Sequence, residues 1–192
     1  MRDDGGVHDD LTGLVLAGGD SRRMGDDKAL LDVDGRPLVH HVALRLAAVC
    51  ARVLVAPGTR PLPGLPWAQV DDHVPGEGPL AGIIGGLAVA STPLVAVVAV
   101  DMPRVDPAVL ATLADAWDGG VAVVPVAADR PQPLHAVYAV AGLPDLTAAF
   151  AAGERSVSRV LRRTGAVFVD LEDDRWAADL DTPDDVARFR HA

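Results

Sequence analysis

Six short stretches of the chain, 11–16, 52–56, 93–100, 121–126, 134–140 and 166–170, are dominated by Val, Leu and Ala. Bounded by Gly, Pro or Asp and only a few residues long, they are expected to be strands. Between them the apolar positions recur at helical spacing, over 38–49, 79–90, 107–117, 143–152, 157–163 and 183–190. Pro79, Pro107 and Pro183 open three of these segments, at the helical position where a missing N–H is harmless. The stretch PLVAVVAV (93–100) has no polar position at all. A strand apolar on both faces is covered on both faces, and helices alternating with strands supply the covers. This order implies an α/β domain of three layers around a mostly parallel sheet. Ligands of such sheets gather beyond the carboxyl ends of the strands. Two places therefore stand out: the loop after Leu16, and Asp101, which ends the most apolar strand.

Neither a repeat nor a linker divides the chain, so residues 11–192 are expected to form a single domain. Residues 1–10, MRDDGGVHDD, are acidic and polar and are expected to be a flexible tail. They lack the basic start and apolar middle of a secretory signal. The 17 Lys and Arg stand against 27 Asp and Glu, a net charge of -10, which argues against a broad electrostatic grip on nucleic acid or on an anionic membrane. No apolar run approaches the roughly 20 residues of a membrane-spanning helix. The single cysteine, Cys50, has no partner for a disulfide or a zinc cluster and sits in an apolar pattern, so a packed thiol in a reducing cytoplasm is expected. Adjacent His40 and His41 do not share a helix face, which speaks against a zinc site there. Trp67, Trp117 and Trp176 have no common spacing, and no stacking role is assigned to them.

Against this acidic background, LVLAGGDSRRMGDDKALL (14–31) places Arg23 and Lys28 just after a glycine pair. Gly18 and Gly19 following a strand let main-chain N–H groups approach an anion. A Walker A loop requires four residues between its glycines and then Lys, whereas Gly19 and Gly25 enclose five and Asp26 follows. The dinucleotide fingerprint, with glycines at its first, third and sixth positions, is also absent. What remains is Leu16, Ala17, Gly18 and Gly19 with Arg23 and Lys28, a set able to surround a triphosphate.

That stretch resembles the L-A-G-G-x-S-x-R-M-G-x-D-K motif of the molybdenum cofactor guanylyltransferases. GPLAGIIGGL (78–87), VDMP (100–103) and AGERSVSRVL (152–161) resemble further elements of the same family, and DLDTPDD (179–185) resembles its N-x-N-T-P-E-[DE] segment with Asp at both Asn positions. The resemblance implies the three-layer αβα Rossmann-like nucleotidyltransferase fold. It also implies transfer of GMP from GTP to the terminal phosphate of Mo-molybdopterin, with Mg²⁺ as cofactor and pyrophosphate as the second product. In these terms Leu16, Ala17, Gly18 and Gly19 frame the nucleotide. Arg23 and Lys28 face the leaving pyrophosphate, and Asp101 holds the metal and the triphosphate. Asp72 reads guanine or the ribose, with Asp71 one register away. A carboxylate can accept from both N1–H and the exocyclic amine of guanine.

Acceptor contacts are expected from Arg130, His135, Arg155, Ser156, Asp179 and Asp181. Much of the acidity around Thr182 and Pro183 also suits a helix start. The chain is expected to act as a cytoplasmic monomer, with room for transient contacts with cofactor-biosynthesis proteins or molybdoenzymes. Two alternatives stay open: cytidylyl transfer from CTP to the same molybdopterin, and a non-catalytic nucleotide- or cofactor-binding delivery module.

Overall fold

The computed structural model describes residues 7–18, 28–33, 35–180 and 182–190. In its first half the chain runs β1 (His8–Leu16), β2 (Asp32–Val33), β3 (Arg36–Pro37), α1 (Leu38–Ala47), β4 (Cys50–Ala56), β5 (Ala68–Gln69), α2 (Pro79–Val89) and β6 (Leu94–Ala99). The second half runs α3 (Pro107–Asp115), β7 (Ala122–Ala127), β8 (Arg130–Pro131), β9 (His135–Ala139), α4 (Leu143–Ala151), α5 (Val157–Leu161), β10 (Val167–Asp170) and α6 (Pro183–Arg190). The main sheet has the order β10-β7-β9-β6-β1-β4-β5, with β8 paired to β7.

β1 lies between β4 and β6 and is parallel to both. The chain leaves β1 through α1 to β4 on one side and returns through α2 to β6 on the other. The sheet therefore changes direction between β1 and β6, the position where a crevice opens at the strand ends. All six residues of β6 are buried, as a strand covered on both faces requires. Leu11, Val15, Leu46, Leu110 and Val137 fill the layer beneath α1 and α3, into which Val186 of α6 also packs. Leu14, Leu16, Ile83, Tyr138 and Phe150 fill the opposite layer, beneath α2, α4 and α5. The three-layer α/β architecture read from the sequence is the one observed.

Within the mostly parallel sheet, β9 runs antiparallel to both β6 and β7. Ala128 and Asp129, with φ of 47° and 61°, turn β7 back into β8. The three residues left before β9 are too few for the crossover that a parallel strand needs. The beginning of the chain also differs from expectation, because β1 starts at His8 and so takes His8–Asp10 from the expected tail. Two-residue strands such as β5 and β8 carry no periodicity for a sequence to display. Asp106 caps α3, accepting from the Ala108 N–H at 2.9 Å. Thr182 and Asp185 exchange hydrogen bonds at the start of α6 (Thr182 N–H to Asp185 at 2.8 Å, Asp185 N–H to Thr182 Oγ1 at 3.2 Å), a capping box with Asp in the acidic position. Cys50 is buried, and burial pushes its thiol up to about 12. Among the described residues no helix is long and apolar enough to cross a membrane.

Candidate functional site

The ends of β1 and β6 are joined by one further hydrogen bond, from the Val100 N–H to the Leu16 carbonyl at 3.0 Å. Beyond it the first loop turns across β4. The N–H groups of Ala17 and Gly18 both donate to the Ala56 carbonyl, at 2.8 and 3.1 Å. The Gly18 N–H, expected to be available to an anion, is thus engaged within the fold. Its glycine has another cause: a Cβ there would lie 2.7 Å from the Cα of Gly58, which itself has φ +70°. Two loops pass each other at backbone contact, and neither position has space for a side chain. Gly58 belongs to a Pro-rich connection that reads from the sequence as an irregular surface loop, so its part here was not legible. Gly19 and Arg23 lie outside the described residues, as does Asp181.

Lys28 opens the short 3-10 turn Lys28–Leu30. Its Nζ stands 3.5 Å from Oδ2 of Asp101, seventy-three positions along the chain. The side chains are 18% and 32% exposed, so the pair is partly desolvated yet open to a ligand on one side. The backbone of Asp101 is fixed separately, because its carbonyl accepts from the Leu180 N–H at 2.8 Å. No group of three or more His, Cys, Asp or Glu able to hold a metal occurs among the described residues. A divalent cation of the Mg²⁺ type needs no such cage, since one or two carboxylates with substrate phosphates and water complete its shell. The partly exposed Asp101 carboxylate fits that requirement.

Asp72 reaches the same end of the sheet from the other side of β1. Helix α2 is apolar nearly throughout, and its glycines let it lie very close to its neighbours. A Cβ at Gly82 would meet both Leu16 Cδ2 at 3.0 Å and Asp72 Oδ1 at 3.2 Å. A Cβ at Gly85 would lie 2.1 Å from the Asp71 carbonyl oxygen. Of the two neighbouring aspartates, Asp72 turns its carboxylate toward Gly82 and Leu16, while Asp71 offers its main chain to the helix. Burial raises the Asp72 carboxyl above its ordinary range, and the charge of Asp71 adds to the effect.

The residues expected at the acceptor do not gather in one place. Arg130 is exposed on β8. His135 is fully buried, its ring 4.6 Å from that of Trp176, and neither ring nitrogen has a hydrogen-bond partner among the described residues. It is a core residue and does not present itself to a ligand. Arg155 and Ser156 lie at the start of α5, where Ser156 accepts from the Arg159 N–H at 3.4 Å and so caps the helix. Arg155 is held by Glu77 and by Phe150. Asp179 lies on the opposite face of the sheet, in a hollow of about 370 Å³ lined also by Pro103, Arg104, Arg188 and Phe189. Pro103 and Leu180 connect that hollow to the Asp101 end of β6. Arg104 and Arg188 fall just outside the VDMP and DLDTPDD segments, so neither segment marks them.

Comparison with known proteins gives these residues a context. A model of the MobA-like NTP transferase domain matches residues 13–167. The chain is 37% identical to the probable molybdenum cofactor guanylyltransferase of Chloroflexus aggregans, over 94% of this chain and 93% of that protein. It is 39% identical to the probable molybdenum cofactor guanylyltransferase of Natronomonas pharaonis, over 93% and 96%. The crystal structure of molybdopterin-guanine dinucleotide biosynthesis protein A from Archaeoglobus fulgidus superposes with a TM-score of 0.79 at 27% identity, covering 94% of this chain and 97% of that one. With Lys28 against Asp101 at the turning point of the sheet and the match running almost end to end, the chain belongs to the MobA-like NTP transferases, in the molybdenum cofactor guanylyltransferase family.

Proposed function

We propose that the chain transfers GMP from GTP to the terminal phosphate of Mo-molybdopterin, giving the guanine dinucleotide form of the cofactor and pyrophosphate. The observation that carries this reading is the 3.5 Å approach of Lys28 to Asp101 at the mouth between β1 and β6. An oxygen of the acceptor phosphate forms the new bond to the α-phosphorus of GTP, and the bond from that phosphorus to the pyrophosphate oxygen breaks. A phosphate monoester with a second pKa of about 6 is mostly dianionic at neutral pH, so the nucleophile requires no strong base.

The work of the protein is then to hold two anions in line and to stabilise charge as it moves onto the leaving group. Lys28 and Arg23 supply fixed cations for the pyrophosphate. Leu16, Ala17, Gly18 and Gly19 frame the base, and Asp72 accepts from its N1–H and exocyclic amine. Asp101 would hold Mg²⁺, which when bound neutralises phosphate charge. For the acceptor, Asp179 in the hollow that Leu180 joins to Asp101 is the first candidate and Arg130 a second. We assign the reaction to the cytoplasm, where the buried thiol of Cys50 stays reduced.

Incubating the purified protein with Mg²⁺, loaded molybdopterin and each of the four nucleoside triphosphates, and measuring pyrophosphate, tests the reading. Release with GTP is the expected result. Release with CTP alone would favour cytidylyl transfer, and nucleotide binding without release would favour a delivery module.

A further inference from the structure

We propose that Arg155 is a positioning residue for the loop 71–78, which carries Asp72, and that it is not a ligand of the acceptor. The proposal rests on the reading above, in which Asp72 meets the nucleotide base. The guanidinium of Arg155 donates from Nε to Glu77 Oε2 at 2.7 Å, and from one terminal nitrogen to the carbonyls of Phe150 at 2.8 Å and Glu154 at 3.0 Å. Its Cζ sits 3.8 Å from the centre of the Phe150 ring. That same ring takes His73, the neighbour of Asp72, edge to face at 5.4 Å. Phe150 is only 5% exposed and anchored in the core, so it is a fixed post. His73 ties one end of the loop to it and Arg155, through Glu77, ties the other.

Between these two anchors Val74, Pro75 and Gly76 are exposed, and Gly76 and Gly78 both have positive φ, at 79° and 87°. The main chain adds two hydrogen bonds, from the His73 N–H to the Ala81 carbonyl at 2.9 Å and from the Glu77 N–H to the Val74 carbonyl at 3.4 Å, and the side-chain anchors act on the span beyond the first of these. Exposed ion pairs contribute little by themselves. Here the guanidinium also has two carbonyls and an aromatic face, which fix its plane. Glu77 occupies the Nε of Arg155, and the two carbonyls occupy one of its terminal nitrogens. Asp72 can accept from two guanine donors at once only if its backbone is placed to within a fraction of an ångström. Fixing the loop therefore acts on recognition of the base.

The test compares Arg155→Ala with Glu77→Ala in steady-state pyrophosphate release, varying GTP, ITP and molybdopterin separately, with amide hydrogen exchange over 71–78 measured in parallel. ITP lacks the exocyclic amine. Both variants are expected to raise the KM for GTP by about three- to tenfold. They should also narrow the preference for GTP over ITP and speed exchange in the loop, while leaving kcat and the KM for molybdopterin at wild-type values. Glu77→Ala leaves Arg155 in place, so an arginine that bound the acceptor would be freed by it, not impaired. A rise in the molybdopterin KM for Arg155→Ala, with GTP KM and loop exchange unchanged, overturns this inference and leaves the proposed function standing. A wild-type protein that releases no pyrophosphate with GTP overturns both.

Discussion

At the scale of single residues, the two sides of the proposed nucleotide site obey different electrostatics. Lys28 and Asp101 neutralise one another at 3.5 Å, so this pair leaves no uncompensated charge in the crevice. Lys28→Ala is expected to lower pyrophosphate release by about 10³- to 10⁵-fold, ~4–7 kcal/mol, by analogy with the cations that stabilise phosphoryl transfer. Turnover at the wild-type rate would remove Lys28 from the chemistry. Asp72 is in the opposite situation, since burial and the adjacent Asp71 both disfavour its charge. A carboxyl raised in the folded state contributes stability below its unfolded value of about 3.9 and loses it as pH climbs through the raised one. At neutral pH the charged Asp72 thus works against the fold, as residues kept for binding often do. Asp72→Asn is expected to raise the melting temperature while lowering kcat/KM for GTP by roughly 10- to 100-fold, the range of one lost charge-assisted hydrogen bond. Thermal melts and GTP kinetics on the same preparation decide it, and a variant that melts lower with GTP kinetics intact would contradict both halves.

At the scale of elements, α2 determines where Asp72 stands. Alanine favours a helix over glycine by about 1 kcal/mol, so Gly85→Ala would stabilise α2 in isolation. The added Cβ would lie 2.1 Å from the Asp71 carbonyl oxygen, a backbone atom with no side-chain freedom to yield. Overpacking of this kind costs typically 1–3 kcal/mol, so the clash outweighs the propensity. Gly85→Ala is therefore expected to lower stability in urea and raise the KM for GTP together, because relief requires moving the loop that holds Asp72. An unchanged GTP KM would show the loop to be independent of the helix.

The sequence displayed α2 as an apolar helix and β6 as a doubly covered strand, because burial writes itself as hydrophobicity. It displayed Asp101 because a charge at the end of an apolar strand is conspicuous, and Lys28 because it stands in the motif that follows the glycine pair. The contact between Gly18 and Gly58 and the ion pair of Arg155 with Glu77 join positions far apart in the chain, one through backbone shape and the other through charge. No periodicity or local composition encodes such pairs, so neither contact was legible in the sequence.

At the scale of the whole molecule, the buried polar side chains of the described residues are Thr12 and His135, and they are treated differently. The Thr12 hydroxyl shares a 2.7 Å hydrogen bond with that of Thr92. His135 is enclosed between the sheet and Trp176, and burial lowers its pKa to about 3. In the unfolded chain the imidazole takes up its proton near pH 6.5, whereas the folded protein refuses it until about 3. The unfolded state thus binds more protons throughout that interval. The stability contributed by the neutral ring is complete above 6.5 and is lost as pH falls, by about 1.4 kcal/mol per pH unit within the window. Asp173 and Asp185, both lowered to about 2, also weaken the fold in acid, but only from their ordinary value of 3.8 downward. Urea unfolding at several pH values from 7 to 5 therefore isolates the histidine. His135→Phe keeps an aromatic ring against Trp176 and has nothing to protonate, so its unfolding free energy should fall less steeply than that of the wild type across this range. Subtracting the two curves cancels every other titrating group, Asp72 included. Parallel curves would mean that His135 is hydrated or hydrogen-bonded in solution, and the enclosure by Trp176 would then have to open far more often than its 3% exposure suggests.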